Sequence, residues 1–232
     1  MTTWLDHVEK WRDCTACPLH CQRSNICLAR GSVPCAVLFI GEAPGQVEDA
    51  LGQPFRGPAG RLLDQIIWYA LPHQKHDGYY IEDSDEYDAI TIRGCRRCHK
   101  VGAELAENPC IPLVTYALTN LVACFPAEAK ARGDNEPELS EIKSCRPRLM
   151  EFIDLCKPKL VVCVGSLASD WVQHDAYGKV RGADAVAIVH PAAILRMPLA
   201  QKQMAVQRCI IQIRNAVDAV IQCEESTKGE MT

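Results

Sequence analysis

A chain of 232 residues, 48% of them hydrophobic, suits one sizeable α/β domain, and its formal charge of −4 excludes a uniformly basic nucleic-acid coat while leaving room for local phosphate-binding patches. The opening "MTTWLDHVEKWRDC" carries acidic residues where a secretory leader would be basic and then apolar, and no stretch reaches the roughly 18 apolar residues of a membrane span, so a cytoplasmic protein without membrane contact is expected. Fourteen cysteines without a secretory signal direct attention to metal ligation rather than disulfides.

In chain order, Trp4, Val8 and Trp11 recur at helical spacing within residues 2–12, and the helix they predict ends near the paired cysteines of "CTACPLHC". "CAVLFIGE" reads as a buried parallel strand. Behind it comes the glycine- and proline-rich loop "GEAPGQVEDALGQPFRGPAG", then "GRLLDQIIWYAL", a helix with Leu62, Leu63, Ile66, Ile67 and Ala70 on its apolar face. The βα pattern recurs in "TYALTNLVAC" with "ELSEIKSCRPRLMEFIDLC", in "KLVVCVG" with "SLASDWV", and in "AVAIVHPAAILR" before a helix from about Leu199 to Gln222. Strands alternating with helices predict a three-layer α/β sandwich: a central, mainly parallel four-stranded sheet flanked by helices, in a single domain over 1–232 with an insertion at about 73–115.

In such sheets the binding crevice lies beyond the carboxyl ends of the strands, which here carry Glu42, Asn120, Gly165 and His190. The glycine loop lacks both the G-x-G-x-x-G spacing of a dinucleotide site and the G-K-S/T of a phosphate loop, so cofactor phosphate is the poorer reading of it.

"CTACPLH" with Arg23, "GEAPGQVEDALGQPFRGPAGRLLD", "LTNLVAC", "SCRPRL", "PKLVVCVGSLAS" and "HPAAILR" occur in one order over residues 14–64, 117–124, 144–169 and 189–196. In that order they resemble the uracil-DNA glycosylase superfamily, and most closely its iron–sulfur members, known as family four. The resemblance implies an enzyme that flips uracil out of single- or double-stranded DNA and hydrolyses its N-glycosidic bond, beginning base excision repair as a monomer.

By the same resemblance, the loop from Gly41 to Gly60 walls the base pocket, with Gly41 and Gly45 letting backbone approach base and sugar, and Phe55 is the aromatic that stacks on the extruded pyrimidine. Glu42 orients the attacking water and stabilises the positive sugar, while Glu48 and Asp49 match the motif in a solvated or structural role. Asn120 offers a donor and an acceptor to the base edge, and cytosine, with reversed polarity at two adjacent edge atoms, would leave buried groups unpaired. His190 directs a donor at the base O2, where charge builds on the departing uracil. The family's serine after "HP" is Ala192 here, which removes a hydroxyl for phosphate, while Leu195 and Arg196 match as a wedge and a phosphate contact.

Cys14, Cys17, Cys124 and Cys145 match the four ligands of a 4Fe-4S cluster, with a four-cysteine zinc site as the chemical alternative that spacing alone leaves open. Cys21, Cys27, Cys35, Cys156, Cys163, Cys209 and Cys223 read as small apolar residues. In the insertion, Cys95, Cys98 and Cys110 with His99, or with His73 or His76, could bind a second metal, Zn, whereas the acidic run "EDSDEYD" reads as solvated surface.

A subgroup of the superfamily becomes covalently attached to DNA through a histidine in a basic loop after the Asn strand, and "FPAEAKARGDNEPELSE" has none. Two other classes stay open: a same-fold glycosylase for another damaged base, and a non-catalytic iron–sulfur DNA-binding replication or repair accessory.

Overall fold

The computed structural model describes residues 2–72, 114–127, 136–172 and 178–229, with side chains as far as 221. Its centre is a sheet of five strands: β1 (Arg30–Gly31), β2 (Val37–Gly41), β3 (Tyr116–Asn120), β4 (Leu160–Val164) and β5 (Asp184–Ile188), in the order β1-β3-β2-β4-β5. The last four in chain order are mutually parallel, as expected, and β1 is an antiparallel edge on β3 that makes the sheet five-stranded rather than four-stranded. Two residues, one of them glycine, carry no hydrophobic alternation, so β1 left no pattern to read.

The parallel strands are buried on both faces, and their side chains sort by parity. Val37, Phe39, Leu118, Leu160, Val162 and Val164 point into one core layer, whereas Leu38, Ile40, Ala117, Val161 and Cys163 point into the other. The first layer is covered by α3 (Pro58–Ala70) and by α7 (Leu199–Gly229), which presents Val206, Cys209, Ile210, Ile213 and Val217 at helical spacing. The second is covered by α4 (Leu139–Cys156), α5 (Ser166–Trp171) and the N-terminal α1 (Trp4–Trp11), with α1 stacked on α4 through Trp4 against Phe152.

Local signals account for the ends. α1 starts at a capping box in which the Thr3 hydroxyl accepts from the Asp6 N–H and the Asp6 carboxylate accepts from the Thr3 N–H. α3 begins with Pro58 in its first turn, where the missing N–H costs nothing. α7 runs beyond the expected Gln222, because no glycine or proline interrupts it before Gly229. The glycine loop holds a helix that the sequence reading passed over, α2 (Gln46–Leu51), bracketed by Gly45 as N-cap and Gly52 in the left-handed conformation.

Candidate active site and cysteine cavity

The glycine loop is folded around a carboxylate. Glu48, in α2, is buried, and its two oxygens accept from the N–H groups of Gly45 at 3.1 Å, Arg56 at 2.8 Å and Gly57 at 2.6 Å. Asp49 is buried beside it and accepts from the N–H groups of Ser24, at 3.0 and 2.9 Å, and Asn25, at 3.3 Å, which ties the segment after the first cysteines to the loop. Both acids are structural, and neither is solvated.

The loop delivers Phe55 to the end of β2. Phe55 has φ 57°, a left-handed conformation that costs a non-glycine residue about 1–3 kcal/mol and must be held by its surroundings. Arg30 holds it: Nε donates to the Pro54 carbonyl at 2.9 Å, Nη2 donates to the Phe55 carbonyl at 3.2 Å, and Nη2 also pairs with Asp64 of α3 at 2.5 Å. The ring converges with Asn120 on Gly41, since a Cβ on that glycine would lie 2.4 Å from Phe55 Cζ and 2.6 Å from Asn120 Oδ1. Only glycine at 41 lets the aromatic and the amide share this place.

Asn120 ends β3 directly across from Gly41 in the parallel register and is buried. The chain beyond it is laced to the loop, with the Leu121 N–H donating to the Gly41 carbonyl at 2.8 Å and the Val122 N–H to the Glu42 carbonyl at 3.2 Å. From behind, the buried guanidinium of Arg148 donates to the carbonyls of Asn120 at 2.5 Å and Leu121 at 3.0 Å, and to the Thr119 hydroxyl at 2.8 Å. Glu42 is half-buried beyond β2, and burial, followed by the neighbouring Glu136, pushes its carboxyl up to about 7.

His190 follows β5 and caps α6 (Pro191–Leu195), where its Nδ1 accepts from the Ala192 N–H at 3.1 Å. Burial and then the Arg196 charge lower its pKa, so the ring is neutral near pH 7, and with Nδ1 accepting its one proton sits on Nε2. The ring lies against Gly165 at the end of β4, whose φ is +97° and whose added Cβ would come within 3.1 Å of the His190 Cβ and 3.2 Å of its Cδ2. Leu195 and Arg196 stand exposed at the end of α6. The fold thus brings Glu42, Asn120 and His190 to the carboxyl edge of the sheet, the side on which open parallel sheets bind ligands.

On the other side of Arg148 lies a cavity lined by Cys14, Cys17, Cys124 and Cys145, together with Trp11 and Arg23. Cys124 is buried, and burial pushes its thiol up to about 11 against the opposing effect of Arg23, whose Nη1 donates to the Cys124 sulfur at 3.1 Å. Among the described residues no three of His, Cys, Asp and Glu are grouped closely enough to hold a metal ion, and the four cysteines have in common that they line this cavity. The second metal set expected at Cys95, Cys98 and Cys110 with His99, or with His73 or His76, lies outside the described residues, as do residues 73–113 of the insertion expected at about 73–115.

The remaining cysteines divide. Cys27, Cys35, Cys156, Cys163 and Cys209 are buried as expected, and burial pushes Cys27 up to about 12 and Cys163 up to about 11. Cys21 instead is exposed, its sulfur 3.3 Å from Nε2 of His20, because the short helix carrying it buries only Leu19. The Cys223 side chain lies outside those described.

Sequence reasoning passed over Arg30, Glu136 and Arg148. Arg148 did leave a signal: it lies on the helical stripe of Ile142, Cys145, Leu149 and Phe152, where a charged residue among apolar ones marks a buried cation.

The family model of the uracil DNA glycosylase superfamily matches residues 29–214. The type-4 uracil-DNA glycosylase of Thermotoga maritima is 44% identical over 160 residues, covering 69% of this chain and 60% of its own. That of Pyrobaculum aerophilum is 26% identical over 204 residues, covering 81% of this chain and 82% of its own, and that of Sulfurisphaera tokodaii is 27% identical over 219 residues, covering 85% and 80%. A match over this span, on a sheet whose carboxyl edge carries the motif residues, makes the chain a member of the uracil-DNA glycosylase superfamily.

Proposed function

We propose that this protein is a uracil-DNA glycosylase, a hydrolase that extrudes uracil from DNA and cleaves its N-glycosidic bond at the start of base excision repair. The observation that carries the reading is the state of His190: neutral, with Nδ1 occupied by the Ala192 N–H and Nε2 free to donate. When the bond breaks, its electron pair leaves with the base and spreads to O2, and a fixed neutral donor there stabilises the anion without transferring a proton. The sugar becomes cationic. Glu42 as carboxylate stabilises that charge, orients a water towards C1′ and takes a proton from it as the new C–O bond forms. Phe55 supplies the stacking face, and the Asn120 amide, locked beside Gly41, reads the pyrimidine edge. Gly45 keeps the loop backbone open to the sugar, and Leu195 and Arg196 meet the vacated stack and a phosphate.

Cys14, Cys17, Cys124 and Cys145 would hold a 4Fe-4S cluster. The lining fits such a group: the four cysteines share one cavity, Arg23 and Arg148 beside it suit an anionic site, and the resemblance to the iron–sulfur members favours the cluster over a four-cysteine zinc. When bound, the cluster clips the N-terminal segment to the core. Among the described residues no helix is long and apolar enough to cross a membrane, and we read the protein as a cytoplasmic monomer acting on uracil in single- or double-stranded DNA.

The test is release of uracil from a labelled strand with one uracil, by anaerobically purified protein, read as strand cleavage after alkali. Cleavage at the uracil position is expected. Binding without release would identify a non-catalytic accessory, and release confined to another damaged base would identify a same-fold glycosylase of different specificity.

A further inference from the structure

Arg148 is almost fully buried, and among the described residues every acceptor of its guanidinium is a neutral oxygen: the carbonyls of Leu28 at 3.3 Å, Asn120 at 2.5 Å and Leu121 at 3.0 Å, and the Thr119 hydroxyl at 2.8 Å. Its Nε has no hydrogen-bond partner among the described residues. A buried cation that meets only carbonyls and a hydroxyl is expensive unless an anion lies close by. Nearby His7 does not provide one, since an imidazole is neutral or cationic, and the Glu151 carboxylate is already engaged by His7 at 2.7 Å, by Trp11 at 3.0 Å and by Lys10. The same arginine lines the cavity of Cys14, Cys17, Cys124 and Cys145, where four thiolates would gather negative charge. One side chain therefore forms a wall of the cysteine cavity and the back of the turn that carries the base-reading amide.

We propose that Arg148 is a positioning residue that joins the two sites: it is a counter-cation of the cluster, and through the Asn120 and Leu121 carbonyls it fixes the orientation of the Asn120 side chain that selects uracil. The proposal rests on the glycosylase reading. The cluster's anionic charge keeps the guanidinium in place, and the guanidinium keeps the turn from rotating about the end of β3. Lysine preserves the charge but not the planar fork that spans the Asn120 and Leu121 carbonyls, whereas methionine preserves the length but neither the charge nor the donors.

The experiment compares anaerobically purified wild type, Arg148→Lys and Arg148→Met by iron content, reduction potential of the cluster, and single-turnover release from strands carrying uracil or cytosine. Wild type with about four irons and uracil release is the precondition, and its failure would sink the glycosylase reading rather than this one. Arg148→Met should move the cluster's potential to a more negative value, since a positive charge that favours the reduced form is gone, and should lose about tenfold or more in preference for uracil over cytosine. Arg148→Lys should hold the potential near wild type while losing preference, and it decides the matter if Arg148→Met does not accumulate as folded protein. A potential unmoved in Arg148→Met, or full uracil preference in Arg148→Lys, would overturn the proposal. Loss of thermal stability alone, with potential and preference intact, would reduce Arg148 to a structural residue and also overturn it.

Discussion

The backbone N–H of Ala192 donates to Nδ1 of His190 across 3.1 Å. The side chain at 192 is a bare methyl, yet the contact that sets the imidazole tautomer comes from the main chain and does not depend on that side chain. His190→Ala should therefore lower single-turnover uracil release by about 100-fold or more while leaving DNA binding nearly intact. Gly165→Ala should lower it in the same direction, because a methyl at φ +97° is strained and presses on the ring. A His190→Ala rate within a few-fold of wild type would place leaving-group stabilisation elsewhere.

Glu42 gives a pH signature. Its active form is the carboxylate, and with the folded pKa raised to about 7 the rate should climb between pH 6 and 8 and level off above. Stability runs the other way. Below the unfolded value of 4.5 the group is protonated in both states, whereas as pH rises through about 7 the folded state must ionise a carboxyl that burial disfavours. Glu42→Gln should thus flatten the pH–rate profile at a low level and raise the melting temperature at pH 8 but not at pH 4. Rate profiles with paired melting curves check both arms.

Glu48 holds the glycine loop together from within. Removing its carboxylate strands three buried or half-buried N–H donors, of Gly45, Arg56 and Gly57. Glu48→Ala should destabilise the protein by roughly 3 kcal/mol in urea unfolding and weaken uracil release by loosening Phe55. Unchanged unfolding would mean that the loop is held by other contacts.

Anaerobically purified protein should be brown, with about four irons and matching sulfide, and Cys124→Ser should lose most of that iron. Colourless wild type with one tightly bound zinc would return the site to the zinc alternative.

The cysteines of the insertion should be separable from the chemistry. Changing Cys95 and Cys98 to Ser should release any zinc and create protease sensitivity between Pro72 and Thr115, while iron and most uracil release survive. Loss of iron together with activity would show that these thiolates serve the core.

The parallel strands and the main helices were legible because their hydrophobic spacing is strong: Val37 to Ile40 is one apolar run, and Leu62, Leu63, Ile66 and Ile67 repeat at the helical period. The motif residues were legible as positions at strand ends. Their condition was not. The Glu42 carboxyl is pushed up to about 7 by burial and then by Glu136, a residue 94 positions away, and no local pattern announces either the burial or such a neighbour. Cys21 looked like its apolar counterparts because composition does not say which cysteines a short helix leaves outside. Arg148 lay in plain view on an apolar stripe, but its acceptors come from two other segments, at Leu28 and at Thr119 to Leu121, which only the fold brings together.

The strand order β3-β2-β4-β5 sets Asn120 on one flank of the crevice and the Gly165–His190 pair on the other. On the proposed reading, choice of base and departure of base are separate modules carried by different strand pairs. Swapping the amide at 120 for a side chain of opposite polarity can then retarget the enzyme to another pyrimidine while the histidine continues to accept whichever anion leaves. Substrate range can drift, in evolution or in the laboratory, without rebuilding the part that sets the rate.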